Sequence, residues 1–171
     1  MLKPASNLET LERFDLESLP DLDVVVLGAL ELFSNATLPE LKFHNSSRML
    51  VVGSGNAEAT GKIILRNFDV IFASESDYEG KLQNIEGIDC VVIVSASAGK
   101  HAPIITRIAK KYGKKVLLLT NNPDSLAKKE LDPSKDQEYV FPKNREPYTY
   151  NISTYMGMIL SSTHENPEKI H

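Results

Sequence analysis

The sequence has too few cysteines to rely on covalent or metal cross-links. Cys90 is the only cysteine among its 171 residues. A single cysteine can form neither an internal disulfide nor a cysteine-based metal site. A chain of this length can instead bury a core large enough to fold without such links. We therefore expect a protein of a reducing, cytoplasmic compartment, in which Cys90 serves as a small apolar side chain.

The sequence also lacks long apolar runs and any excess of basic charge. No stretch approaches the about 20 apolar residues that span a bilayer, and residues 1–11 are too polar for a signal peptide. The net charge is −4, and the densest basic cluster, at 110–115, is typical of a solvated helix end. We expect neither a membrane nor a nucleic-acid partner.

The composition is that of a globular protein, with 42% apolar and 25% charged residues, and the length suits one domain. Residues 1–20 look loosely ordered. The apolar spacing from Leu22 to Phe33 then predicts an amphipathic helix. We predict an N-terminal helical segment over 1–34, a main domain over 35–162 and a polar tail over 163–171.

Short apolar runs alternate with helical patterns along the main domain. Strands are predicted at 49–52, 69–73, 90–94, 116–120 and 139–141. Helices are predicted at 57–67, 78–85, 104–112, from 125 onward and at 148–161. Wholly apolar strands belong to a sheet that is covered on both faces. The pattern therefore predicts an α/β fold: a three-layer αβα sandwich with a five-stranded, mostly parallel, doubly wound sheet.

Two loops in this pattern have the character of a ligand site. In an open parallel sheet, ligands bind beyond the carboxyl ends of the strands. The first loop is Gly53, Ser54, Gly55 and Asn56, and the second is Ser95, Ala96, Ser97, Ala98, Gly99, Lys100 and His101. Small residues in the second loop let backbone amides approach an anion, and a helix N-terminus follows. The alternative is a plain strand-to-helix turn.

The first loop also raises the possibility of a dinucleotide site. Gly53 and Gly55 match the first two glycines of the G-x-G-x-x-G pattern, and Glu75 lies 20 residues beyond Gly55. The third glycine position, however, is Glu58, whose carboxylate would crowd the helix and repel a pyrophosphate. A nicotinamide-dependent oxidoreductase is therefore a hypothesis that ranks below the two functions considered next. Alternatively, these glycines serve only the turn.

At these loops the chain resembles the sugar isomerase (SIS) domain family over roughly residues 35–162. The family's phosphate loop has the form S-x-S-G-x-[ST], and residues 95–100 occupy that place. The T-x-N-P-x-S segment that often follows the next strand corresponds to residues 120–125. The chain differs from the family pattern at Ala98, Lys100 and Ala57. Asn151 and Ile152 stand where isomerases of the family often carry a glutamate on the last helix.

The resemblance implies a protein that binds a small-molecule sugar phosphate. Ser95 and Ser97 would hold the phosphate, with help from backbone donors between Ala98 and Lys100. Members of the family include aldose–ketose isomerases and non-catalytic domains that sense sugar phosphates, so both functions stay open. The resemblance also implies a homodimer or homotetramer with shared sites.

Three side chains are candidates for the acid and base of an isomerisation. The reaction moves a proton between two adjacent carbons and polarises a carbonyl. Glu58 and Glu146 can act as bases, although each is equally an ordinary helix or surface charge. His101 can act as acid or base near neutral pH, or be a solvated loop histidine. Since no metal-ligand spacing is present, we expect a reaction without metal or organic cofactor.

Overall fold

A computed structural model describes residues 6–43 and 48–170 of the chain. The expectations for residues 1–5, 44–47 and 171 lie outside the described residues. The chain divides into two compact units, one formed by residues 1–40 and 142–171 and the other by residues 41–141.

The unit of residues 41–141 contains a five-stranded sheet in the order β2-β1-β3-β4-β5, and all its pairings are parallel. The strands are β1 (Arg48–Val52), β2 (Val70–Ala73), β3 (Ile88–Val94), β4 (Lys115–Thr120) and β5 (Gln137–Val140). The three central strands, β1, β3 and β4, are buried on both faces. This burial explains why their sequences are continuous apolar runs and do not alternate between apolar and polar residues. The predicted doubly wound sheet is therefore confirmed.

Helices cover both faces of this sheet, as the three-layer prediction requires. They are α3 (Asn56–Ile64), α4 (Tyr78–Asn84) and α5 (Ala102–Lys111). Gly61 of α3 lies against Val51 and Val94 on one face. On the other face, α4 and α5 share a core with Leu50, Val91 and their neighbours. Since side chains alternate along a strand, Leu50 and Val51 point to opposite faces.

The other unit is helical and contains α1 (Asn7–Leu11), α2 (Leu22–Asn35) and α6 (Ile152–Thr163), followed by a 3₁₀ turn at Pro167–Lys169. Ala29, Phe33 and Leu160 form a shared core between α2 and α6. Gly157 permits the close approach of these helices, because a Cβ there would lie 2.8 Å from Phe33 Cε1. The amphipathic helix predicted from residue 22 is confirmed.

Three predicted elements are corrected by the structure. Within the segment expected to be loose, Ser6 and Glu9 form a reciprocal capping box that starts α1. The helix expected from Ser125 is only a 3₁₀ turn, Ala127–Glu130. The last helix begins at Ile152 rather than Tyr148, because Asn151 adopts a left-handed conformation with φ 52°.

Across the described part of the chain, no helix has both the length and the apolar character needed to traverse a bilayer.

Cys90 should be unreactive in the folded protein. Burial raises the pKa of its thiol from an ordinary value of 9.0 to about 12, which lowers the thiolate fraction roughly a thousandfold. We expect no labelling by a thiol-specific disulfide reagent at pH 8 in the native state and one label per chain in guanidinium chloride. Native labelling at the rate of the denatured chain would contradict this placement.

Candidate functional site

The central strands bring the two predicted loops to one place. β1 and β3 are neighbours, and Val52 pairs with Ile93. From β1 the chain moves to β2 on one side, and from β3 it moves to β4 on the other. Strand order therefore reverses between β1 and β3, and both loops leave the sheet at its carboxyl edge beside this point. Residues 53–56 are called the β1 loop below, and residues 95–101 the β3 loop. Ligands of open parallel sheets bind in this position.

The backbone carbonyls of the β3 loop are held by the chain that follows β4. Ala96 O accepts hydrogen bonds from Thr120 Oγ1 at 3.0 Å and from Asn121 N at 2.9 Å. Ala98 O accepts a hydrogen bond from Ala127 N at 3.2 Å. The carbonyls of Ala96 and Ala98 are therefore both directed toward the β4 side of the loop.

This arrangement determines where the amides of the β3 loop point. A trans peptide places each carbonyl opposite the N–H of the following residue, so the N–H groups of Ser97 and Gly99 face away from the β4 side. No described residue accepts a hydrogen bond from either amide. Ala98 N, which lies between them, donates to Ser95 Oγ at 3.3 Å. The Ser97 and Gly99 amides are thus both without a protein acceptor among the described residues, as an anion site requires.

Ala98 gives the loop an unusual backbone for a residue with a Cβ. Its φ is 44°, in the left-handed region that glycine favours. Its methyl group is fully buried and belongs to the core that α5 shares with the sheet. The position at which the SIS pattern has glycine therefore keeps a glycine-like conformation, while the methyl group contributes buried apolar contact.

The remaining donors of the β3 loop face solvent. Ser97, Lys100 and His101 are exposed, and Ser95 is half-buried. His101 occupies the N-cap position of α5 without a capping side-chain bond. Within residues 6–43 and 48–170, neither the Lys100 ammonium nor the His101 ring has an ion-pair or hydrogen-bond partner. Hydroxyls, amides and one positive charge near a ten-residue helix N-terminus form a donor set for a tetrahedral anion.

The β1 loop is built by two glycines with different structural roles. A Cβ at Gly53 would lie 3.1 Å from Ala57 Cβ, so glycine lets the strand pass close to α3. Gly55 has a φ of 56° and immediately precedes α3, which begins at Asn56. Ser54 and Asn56 are both exposed. The β1 loop therefore lines the same sheet edge as the β3 loop.

A carboxylate from the loop after β2 is attached to the β1 loop. Ser54 Oγ donates to Glu75 Oε1 at 3.1 Å. Nearby, Asp77 accepts hydrogen bonds from Lys81 and Ser74, which lower the pKa of its carboxyl from 3.8 to about 2. Negative charge therefore lies on the β2 side of the edge, while the β3 loop carries Lys100.

Two of the three candidate catalytic residues are engaged in local interactions. Glu58 forms an ion pair with Lys62 of the same helix at 2.6 Å. Glu146 lies in the helical unit, where its carboxylate accepts hydrogen bonds from Ser153 N, Thr154 N and Thr154 Oγ1 at 2.7–3.0 Å. It thereby caps α6, which supports the helix-charge alternative considered for this residue.

Sequence reasoning missed the residues that orient the β3 loop. Thr120 is fully buried, and its hydroxyl links β4 to Ala96. Asn121 adds a backbone donor to the same carbonyl. The segment from Thr120 to Ser125 is part of the family resemblance, but its sequence pattern does not indicate which atoms it contacts.

No group of three or more histidine, cysteine, aspartate or glutamate side chains in the described residues is placed to hold a metal ion.

Comparison with known proteins identifies the fold. No protein-family model matches the chain, and no curated protein matches its sequence. Solved structures do match. A proposed sugar-phosphate isomerase from Listeria monocytogenes has a TM-score of 0.55 at 17% identity, over 93% of this chain and 80% of that chain. The NanR protein of Vibrio vulnificus, complexed with ManNAc-6P, has a TM-score of 0.56 at 16% identity, over 93% of this chain and 57% of NanR.

A third solved structure is an Escherichia coli CFT073 protein in complex with A5P. It has a TM-score of 0.51 at 15% identity, over 84% of this chain and 87% of that chain. At these identities the comparison concerns the fold alone. The resemblance to SIS-domain proteins is confirmed at the level of the fold.

Substitutions at Ala98 should separate backbone strain from core packing. We expect Ala98→Gly to change the free energy of unfolding by no more than about 1 kcal/mol, because relief of the left-handed conformation offsets loss of the buried methyl group. We expect Ala98→Val to cost about 2 kcal/mol or more, since a branched side chain is both strained and overpacked there. Urea unfolding measures both, and equal values for the two variants would contradict this description.

Substitutions at Thr120 should test the hydroxyl that links β4 to the β3 loop. Thr120→Val keeps the shape but leaves Ala96 O without one of its donors, so we expect a loss of about 1–3 kcal/mol in the free energy of unfolding. Thr120→Ser retains the hydroxyl and shows separately what the buried methyl group contributes. If Thr120→Val unfolded at the same urea concentration as the unmodified chain, the hydroxyl would have no special role.

Proposed function

We propose that the chain is a SIS-domain protein that binds a sugar phosphate at the β3 loop. The activity proposed for it is a cofactor-independent aldose–ketose isomerisation of that sugar phosphate. The observation that carries the proposal is the pair of unbonded amides at Ser97 and Gly99, located at the switch point of a sheet with the SIS fold. Solved structures of this fold include the complexes with ManNAc-6P and A5P.

The phosphate is proposed to bind across the β3 loop. Its oxygens would accept hydrogen bonds from the Ser97 and Gly99 amides and from the Ser95 and Ser97 hydroxyls, while Lys100 adds a positive charge. The sugar ring would extend from this loop toward the β1 loop. Gly53, Ser54, Gly55 and Asn56 line that direction, because β1 is the neighbour of β3.

His101 is the candidate acid and base that the local geometry supports best. Its ring is exposed, has no described partner and follows Lys100 directly. An imidazole ring can serve as both general acid and general base in such a reaction. Glu58 would first have to release Lys62, and Glu146 would have to release the first turn of α6. We therefore propose His101 as the residue that opens the ring or transfers the proton.

A non-catalytic sugar-phosphate sensor is the second candidate. The observation that favours it is the engagement of Glu146 as a helix cap, together with Asn151 and Ile152 at the start of α6. The last helix then provides no carboxylate of the kind that isomerases of the family use. Binding at the β3 loop does not depend on that carboxylate.

The wider setting of the function is part of the same proposal. We propose residues 35–162 as the functional domain, with 1–34 as an N-terminal helical segment and 163–171 as a polar tail. A homodimer or homotetramer with shared sites is proposed from the family resemblance. A cytoplasmic location is proposed from the single buried cysteine.

A panel of hexose, pentose and aminosugar phosphates tests binding and turnover together. We expect at least one phosphorylated sugar to raise the melting temperature, while its unphosphorylated form has no effect, because a ligand that binds only the native state stabilises it. Incorporation of deuterium at the second sugar carbon in D₂O would show isomerase activity, and stabilisation without exchange would show a sensor. A response to NADH alone would contradict both functions.

We expect Ser97→Ala to raise the Kd of the stabilising ligand about tenfold or more, because the hydrogen bond from the hydroxyl to a charged phosphate is lost. The hydroxyl bonds to no described residue, so the melting temperature of the ligand-free protein should not change. Ser134→Ala is the control, because it also removes an exposed serine hydroxyl, but one that bonds to Asp132 and belongs to neither loop of the proposed site. Equal affinities for Ser97→Ala and the unmodified chain would contradict the proposed site.

A further inference from the structure

The side chain of Asn122 connects two loops that are distant in sequence. Its Nδ2 donates to Ser97 O at 3.1 Å, across 25 residues. With the bonds to Ala96 O and Ala98 O, this contact means that three successive carbonyls of the β3 loop are held from the β4 side. Of the three, only the middle carbonyl is held by a side-chain amide.

Asn122 also stabilises its own turn by separate atoms. Its Oδ1 accepts a hydrogen bond from Asp124 N at 3.1 Å, and its backbone N donates to Thr120 Oγ1 at 3.1 Å. These bonds form a turn in which an asparagine side chain mimics the backbone, just before Pro123. The turn therefore requires only an acceptor, whereas the bond to Ser97 requires the donor at the far end of the same side chain.

The bond to Ser97 O affects the peptide in the centre of the proposed anion site. Since that peptide is planar, fixing Ser97 O also fixes the N–H of Ala98 toward Ser95 Oγ. The neighbouring amides of Ser97 and Gly99, which both face away from the β4 side, are attached to the two ends of this central peptide. Rotation of the central peptide would move both neighbours and the Ser97 side chain.

We propose that Asn122 is a positioning residue for the sugar-phosphate site: it sets the orientation of the Ser97 peptide, and through it the donors that meet the phosphate. The inference rests on the proposed function and concerns the same site. Asn122 acts through Ser97 and is assigned no contact with the ligand.

Asn122→Ser tests this role without a change of charge. A serine hydroxyl can still accept from Asp124 N and preserve the turn, but it is too short to reach Ser97 O. We expect the Kd for inorganic phosphate, and for the sugar phosphate selected by the panel, to rise about tenfold. In amide NMR spectra, the Ser97 and Gly99 signals should shift on phosphate addition in the unmodified chain and shift much less in this variant.

Lys128→Ala is the matched control from the same segment. Lys128 Nζ donates to Pro123 O at 2.9 Å and pairs with Glu138 at 3.4 Å, so its loss disturbs the turn without touching the β3 loop. We expect Kd for phosphate and the shifts of the Ser97 and Gly99 amides to remain as in the unmodified chain. A merely structural role of the turn would instead make both variants alike.

The outcomes separate the inference from the proposed function. If the unmodified chain binds phosphate and Asn122→Ser binds it with the same Kd and the same amide shifts, the positioning role is wrong and the binding site stands. If Lys128→Ala weakens binding as much as Asn122→Ser, the effect belongs to the turn and the inference fails. If the unmodified chain binds neither inorganic phosphate nor any sugar phosphate, the proposed function fails and the inference fails with it.

Discussion

The parallel pairing of β1 with β3 is the constraint on which the candidate site depends. From β1 the chain crosses to β2 on one side of the sheet, and from β3 it crosses to β4 on the other side. The loops after these two neighbouring strands therefore diverge and leave a gap between them at the carboxyl edge of the sheet. Every donor that is proposed to contact the phosphate belongs to the loop that leaves the sheet beside that gap. A shift of one residue in the register would turn every side chain of the shifted strand to the opposite face of the sheet and would move its loop as well.

The anion site proposed at the β3 loop is formed largely by backbone groups that neighbouring protein contacts hold in place. Its carbonyls are held by the chain after β4, and its amides are directed to the other side as a result. Such a site is organised before any ligand arrives, which reduces the conformational entropy lost on binding. The function proposed here therefore depends on backbone orientation more than on any charged side chain.

Much of the fold was predictable from the sequence, because buried parallel strands leave continuous apolar runs that need no tertiary information to recognise. The positions of the two loops followed from the same pattern. The short helix α1 was missed, since its capping box lies in a segment with few apolar residues. The turn at Ala127–Glu130 was taken for a helix because its composition alone does not reveal a 3₁₀ geometry.

The candidate site was only partly predictable. Ser95, Ser97 and Lys100 could be selected because hydroxyls and small residues after a strand are a local signal. Asn122 acts through a contact with a residue 25 positions away in the sequence, and Glu146 through contacts with residues 7 and 8 positions away. A sequence pattern read over a few neighbouring residues does not indicate such contacts.

The left-handed conformation of Ala98 has a consequence for recognising proteins of this architecture. A turn of this shape is usually identified by its glycine, yet here an alanine adopts the same backbone conformation while its methyl group packs in the core. Motifs that demand glycine would overlook chains that make this exchange. Descriptors based on the paired carbonyl contacts of the loop would retain them.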